Sequence, residues 1–138
     1  MSERSYLIKV QCKTKKAANQ LFNRYCGIND LKDKASVTAI AQLYDAEFVS
    51  DFQSDIDDIE SFEFNISIDA PTVRVYFYSF DLGAELLVDQ MVNEIDTKSV
   101  SSIYRLEYDS DSMETLITRY LRGKYKGIYY TGGADQYI

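Results

Sequence analysis

Asp109 and Asp111 stand two positions apart in "LEYDSDSMET", directly after an alternating apolar stretch. Two carboxylates in a DxD pattern at the end of a strand can ligate Mg²⁺ and support phosphoryl or glycosyl chemistry. The same segment also fits a helix start, with Ser110, Asp111 or Ser112 as cap and Glu114 completing a capping box. No second constellation supports an enzyme. The chain has no histidine, which removes Ser-His-Asp and Cys-His catalysis, histidine metal sites and a histidine pH switch together. It carries no GxSxG elbow, Walker loop or dinucleotide fingerprint. Catalysis would rest on Asp109 and Asp111 alone, and the sequence calls for no cofactor.

Binding chemistry is better represented. Residues 45–69, "DAEFVSDFQSDIDDIESFEFNISID", hold nine acids and no lysine or arginine. Such a block is either the solvated side of an ordinary domain or a face that engages a basic protein, for instance by imitating the phosphate spacing of nucleic acid. In the second reading Asp51, Asp55, Asp57, Asp58 and Glu60 supply charge, and Phe52 and Ile56 supply apolar anchors. Acids at a helix C-terminus oppose the macrodipole by about 0.3–1 kcal/mol each. If a helix runs through "DIDDIE", four acids sit at its unfavourable end; if it stops near Ser54, they begin a new turn. A divalent cation is a third account, but the glycine of an EF-hand loop is missing.

Two basic segments bracket this block. "CKTKKAA" sets Lys15 and Lys16 in the first turn of a helix with Lys13 just before it. Cations there work against the dipole, and with the backbone N–H groups they would suit an anion such as phosphate. "RYLRGKYKGIYY" interleaves Arg119, Arg122, Lys124 and Lys126 with four tyrosines. That mixture can hold a nucleic-acid strand through counterion release and base stacking. It equally fits a helix C-terminus followed by a half-buried strand.

Charge follows the same division. Residues 1–34 carry a net +5, residues 35–118 a net −15 and residues 119–138 a net +3, giving −7 for the 138-residue chain. Blocks of like sign create surface potentials that steer partners. The length predicts one globular domain over residues 1–138 with a loose tail over 131–138. No apolar run reaches the ~18 residues of a membrane span. Cys12 and Cys26 form no CxxC pair, which points to a reducing cytoplasm.

The elements that position these residues are read from periodicity. "SYLIKVQ" alternates as a strand. "TKKAANQLFNRYCG" places Ala18, Leu21, Phe22 and Tyr25 on one helical stripe, with Thr14 as cap and Gly27 as stop. Val37, Ile40, Ala41, Tyr44, Phe48 and Phe52 predict one helix over about 36–53. "SFEFNISID" and "TVRVYFYSF" read as a hairpin around Pro71. Ala84, Leu87, Val88, Met91 and Ile95 mark a helix capped by Asp81; a strand follows over 99–108. Met113, Leu116, Ile117, Tyr120 and Leu121 predict a further helix stopped by Gly123, and "KYKGIYY" a last strand.

The resulting order contains β-α-β-β-α-β, the ferredoxin-like split βαβ pattern: an α+β fold with one antiparallel sheet and helices on one face. To this the periodicity adds an inserted helix and a C-terminal helix-strand pair. Phe62, Phe64, Ile66, Ile68, Val73, Val75 and Phe77 are the expected core, facing Leu21, Phe22, Leu87 and Met91. The functional expectation is a non-enzymatic binding protein whose acidic surface docks on a basic protein or complex, in the manner of anti-restriction or anti-CRISPR inhibitors. The alternatives are a metal-dependent enzyme at Asp109 and Asp111, and nucleic-acid binding through the C-terminal basic-aromatic segment.

Overall fold

The computed structural model describes residues 3–59, 61–79, 83–95, 98–110, 114–121 and 124–131. Strand β1 (Arg4–Cys12) leads into helix α1 (Lys15–Tyr25), a 3₁₀ turn (Cys26–Asp30), α2 (Asp33–Ala41) and α3 (Ala46–Asp58). The hairpin β2 (Phe62–Asp69) and β3 (Thr72–Ser79) follows, then α4 (Gly83–Glu94), β4 (Val100–Asp109), β5 (Glu114–Leu121) and β6 (Lys124–Thr131). The protein is thus α+β. Its strands form one six-stranded sheet in the order β2-β3-β1-β4-β5-β6, and every adjacent pair is antiparallel. Strand β3 lies between β1 and β2, and β1 lies between β3 and β4.

Alternation sends successive side chains to opposite faces. On one face Tyr6, Ile8, Val10, Val73, Val75, Phe77, Phe62, Phe64, Ile66 and Ile103 are buried. The helices cover this face with Ala18, Tyr25, Val37, Ile40, Leu87, Val88 and Met91, in one continuous cluster. Each large side chain fully buried there contributes about 1.5–3 kcal/mol. The expected core residues fall here except Ile68, which is only partly buried at the hairpin end; Leu21 and Phe22 are likewise half-buried on the rim of α1. Among the described residues no helix is long and apolar enough to cross a membrane.

The edge strand β2 is held from outside. Asn29 Nδ2 donates to the Ile66 carbonyl at 3.0 Å, and Asn29 Oδ1 accepts from the Ile66 N–H at 2.8 Å. The Phe62 N–H donates to Asp33 Oδ1 at 3.3 Å. Two side chains thereby stand in for a neighbouring strand, one of the ways an exposed edge is blunted.

Three local expectations are corrected. The helix expected over 36–53 is two helices. The chain turns at Gln42–Tyr44, where Leu43 and Tyr44 N–H groups reach back three residues to Ile40 and Ala41, and Asp45 accepts from the Val49 N–H to open α3. Tyr44 is buried, so its place in the apolar pattern is kept while the axis changes. The expected helix of Met113–Leu121 is strand β5, and the appended helix-strand pair is a hairpin. Thr115, Ile117, Thr118 and Tyr120 are β-branched or aromatic, and pairing with β4 provides partners for an otherwise open edge. Met113 and Gly123 lie outside the described residues, as does Asp81. Finally, Gly27 is not a left-handed stop. The helix passes through Cys26, which is right-handed, into the 3₁₀ turn.

A Cβ at Gly27 would meet nothing within 4 Å. Gly27→Ala is therefore expected to be neutral or to stabilise by up to about 0.4–1 kcal/mol, through lower entropy of the unfolded chain. Urea denaturation checks this; a loss above about 1 kcal/mol would contradict the open position.

Candidate functional site

The acidic helix takes the first of the two courses open to it. Helix α3 continues to Asp58, so Asp55, Asp57 and Asp58 occupy its last turn, which holds no basic residue. Glu47 in the first turn is favourably placed. Asp51, Asp57 and Asp58 are exposed. Lys34, at the start of α2, sets its Nζ 3.8 Å from Asp57 Oδ1 and donates to the Asp57 carbonyl at 3.4 Å. Gln53 donates to Asp57 Oδ1 at 3.0 Å. Both Lys34 and Asp57 keep more than half of their side-chain surface in water, where such a pair is worth little. The side chains of Phe52, Asp55 and Ile56, and all of Glu60, lie outside the described residues.

At the opposite end of the charge map, Lys13, Lys15 and Lys16 are exposed around the start of α1. Thr14 caps that helix by accepting the Ala17 N–H at 3.0 Å, and the Lys13 N–H donates to the Ser99 carbonyl at 2.8 Å. Asp109 ends β4 with Arg4 Nη2 3.6 Å away; Asp111 lies outside the described residues. Among the described residues no three histidine, cysteine, aspartate or glutamate side chains are grouped to hold a metal ion. The basic-aromatic segment forms parts of β5 and β6, with Tyr120 paired to Tyr125 and Leu121 to Lys124. Arg122 lies outside the described residues.

Sequence reasoning missed a buried arginine. Arg105 is 4% exposed. Its guanidinium contacts Asp89 of α4 and Glu107 of the same strand, lies 3.9 Å from Glu85 and rests over the Tyr6 ring. Arg4 joins Glu85 and Asp109 to the same group. Burial, with the Glu85 charge second, pushes the Tyr6 phenol up to about 12. Burial likewise raises the Glu107 carboxyl, against the opposing pull of Arg105. The signal was present: Arg105 falls at an inward position of a strand, and Glu85 and Asp89 are four residues apart on one helix.

A cleft of about 260 Å³ between α1 and the start of β4 is lined by Cys12, Leu21, Arg24, Tyr25 and Glu94. Arg24 spans it to Glu94 at 3.1 Å. Burial pushes the Cys12 thiol up, which disfavours the reactive thiolate.

Among the described residues no helix covers the second face of the sheet. Register sets its side chains in rows. Arg74, Lys9 and Tyr104 are consecutive cross-strand neighbours on β3, β1 and β4, and Arg119 of β5 pairs with Tyr104. The next row runs Asn65, Tyr76, Leu7, Leu106 and Ile117, and the third Glu63, Tyr78, Ser5 and Tyr108. Leu106 and Ile117 are buried, whereas Lys9, Arg74, Tyr76 and Tyr104 are partly open and Tyr108 is exposed.

No protein family, curated protein or solved structure matches the chain.

Proposed function

We propose that this is a non-enzymatic binding protein that docks the acidic face of α3 on a basic protein or complex, as an inhibitor or nucleic-acid mimic of anti-restriction or anti-CRISPR type does. The observation that carries this reading is the placement of Asp55, Asp57 and Asp58 in the last turn of α3 without a basic residue there. Local electrostatics opposes that placement, and the exposed contact of Lys34 with Asp57 offsets it only slightly; a local rule broken for so little local gain supports a functional demand there. Charge gives fast encounter, and apolar anchors such as Phe52 and Ile56 would supply most of the affinity. The scaffold is proposed to be a ferredoxin-like split βαβ arrangement extended by the β5–β6 hairpin. Its support is the interleaving of β3 between β1 and β2, and of β1 between β3 and β4. The free thiols Cys12 and Cys26 suit a reducing compartment such as the cytoplasm.

The test begins with capture of partners from lysate at low and high salt, followed by association kinetics of the captured partner. Changing Asp55, Asp57 and Asp58 together to Asn keeps shape and removes charge. The triple variant is expected to associate more slowly and with a flatter salt dependence. Its folding stability should stay within about 1 kcal/mol and tend upward, because acids leave the negative end of the helix dipole. Changing Lys15 and Lys16 to Gln should leave binding intact. Loss of binding in the lysine variant alone would overturn the acidic-face reading and point to an anionic partner.

A further inference from the structure

We propose that a cleft beside the edge strand β2 binds a small, uncharged planar molecule through an amide edge, a primary carboxamide or a lactam, independently of the acidic face of α3. In an antiparallel pair alternate residues turn both backbone groups toward the neighbouring strand, and the residues between them turn theirs away. The contacts of Asn29 with Ile66 and of Asp33 with Phe62 show which residues of β2 face outward. Phe64 lies midway between Phe62 and Ile66, so its N–H and C=O point the same way. Among the described residues no side chain or loop backbone group bonds to either of them. The rungs on both sides are held from outside, and the middle one is open. Beside it lies a cleft of about 400 Å³, lined by Asn29, Leu31, Asp33, Glu63, Phe64 and Tyr76. That volume falls within the usual range of small-molecule sites.

The chain itself supplies the template for the ligand. The Asn29 carboxamide closes the Ile66 rung with one planar group, donating to the carbonyl at 3.0 Å and accepting from the N–H at 2.8 Å. A ligand amide with its N–H and C=O on the same side closes the Phe64 rung in the same way. The gain is real because Phe64 is only 5% exposed, and a sheltered peptide group without a partner is costly. An ester or a carboxylate lacks the donor. Charge selects further: Asp33 and Glu63 line the cleft against the single cation Lys32, which disfavours an anion. Leu31, 39% exposed, offers apolar surface to a flat ring. Asp33 reaches Phe62 from a left-handed backbone, φ 50°, a conformation uncommon in residues with side chains. An added β-strand would have to displace both the Asn29 and Asp33 bonds, so the opening takes one planar group rather than an extended peptide.

The experiment is backbone-amide NMR of the full chain, with nicotinamide and uracil as probes and methyl nicotinate and nicotinate as controls. Both probes are expected to shift the Phe64 N–H resonance saturably. Nicotinamide should bind roughly tenfold tighter than methyl nicotinate, the worth of one further hydrogen bond, and nicotinate should bind more weakly than nicotinamide. Leu31→Ala, at an exposed position, should keep the fold and weaken nicotinamide binding. Hydrogen exchange of the wild-type protein stands apart from any folding defect of a variant. Without ligand the Phe64 N–H is expected to exchange faster than the Ile66 N–H, and nicotinamide should slow it. A Phe64 N–H as protected as that of Ile66 before ligand is added overturns the proposal. So do equal affinities for nicotinamide and methyl nicotinate, shifts confined to the cleft of Cys12 and Arg24, or no saturable shift with either probe. Acetylglutamine methylamide tests a protein side chain as the source of the amide. Saturation by it and not by nicotinamide would assign the rung to a glutamine of a partner protein and overturn the small-ligand reading.

Discussion

Arg105→Leu should lower the unfolding free energy by about 3 kcal/mol at pH 8, the low end of the range for a broken buried ion pair. The guanidinium keeps only 5% of its side-chain surface in water, and Glu107 keeps 21%. Removing the arginine leaves Glu107 ionised and partly buried beside Glu85 and Asp89. Asp89 is nearly half exposed, so its share is small. The deficit should shrink as pH falls. Glu107 already has a folded-state pKa above its ordinary value because of burial, and without Arg105 it rises further. A carboxyl with a raised folded pKa favours folding most below its unfolded pKa, and that contribution is lost as pH rises through the folded value. Urea denaturation at pH 5 and pH 8 reads this difference directly. Adding Glu107→Gln to Arg105→Leu should recover part of the loss at pH 8 and little at pH 5. An equal deficit at both pH values would show that Arg105 acts through packing over Tyr6 alone.

Phe64→Ala is expected to cost about 3–5 kcal/mol, the usual range for truncating a buried phenylalanine. Phe64 is 5% exposed. Its ring meets Phe77 edge-on with centroids 5.2 Å apart and Tyr25 at 6.3 Å. Phe77 also receives Phe62 at 6.1 Å, so the removed ring touches both the hairpin and α1. A cavity there cannot be closed by moving one side chain. Phe64→Leu keeps most of the volume and should cost less than about 1.5 kcal/mol. A loss under about 1 kcal/mol for Phe64→Ala would refute the packing described for β2.

The elements that sequence reasoning recovered are those whose period and burial agree. In β2 and β3 the strict alternation of Phe62, Phe64, Ile66 and of Val73, Val75, Phe77 matches one covered and one open face. In α1 and α4 the stripe of Ala18 and Tyr25, or of Leu87, Val88 and Met91, matches a single buried side. The failures arise where one local pattern serves two shapes. Leu116, Ile117, Tyr120 and Leu121 keep a helical spacing, yet Ile117 and Thr118 are both buried on opposite faces of a strand. Only the need of β4 for a partner decides between the two. The break between α2 and α3 carries no glycine or proline, so nothing local announces it. Of the candidate surfaces, the acidic residues were legible by composition, while their place at the end of α3 was not. The Arg74–Lys9 row was invisible, because residues 9 and 74 meet only through a pairing distant in the chain.

That distance has a kinetic side. Strand β1 sits in the middle of the sheet, but its two neighbours come much later in the chain. Gln11 meets Thr72 across 61 residues, and Glu3, just before β1, reaches Ser110 across 107. Non-local pairings of this kind must close large loops before contacts reward them, and they slow folding. During synthesis β1 therefore waits with both edges open until β3 has been made, and with one edge open until β4 follows. A chain halted between residues 80 and 99 would hold β1, β2 and β3 with the Tyr6, Ile8 and Val10 strand as an unguarded border. Such an intermediate is the state in which this protein is most exposed to aggregation and to holding chaperones.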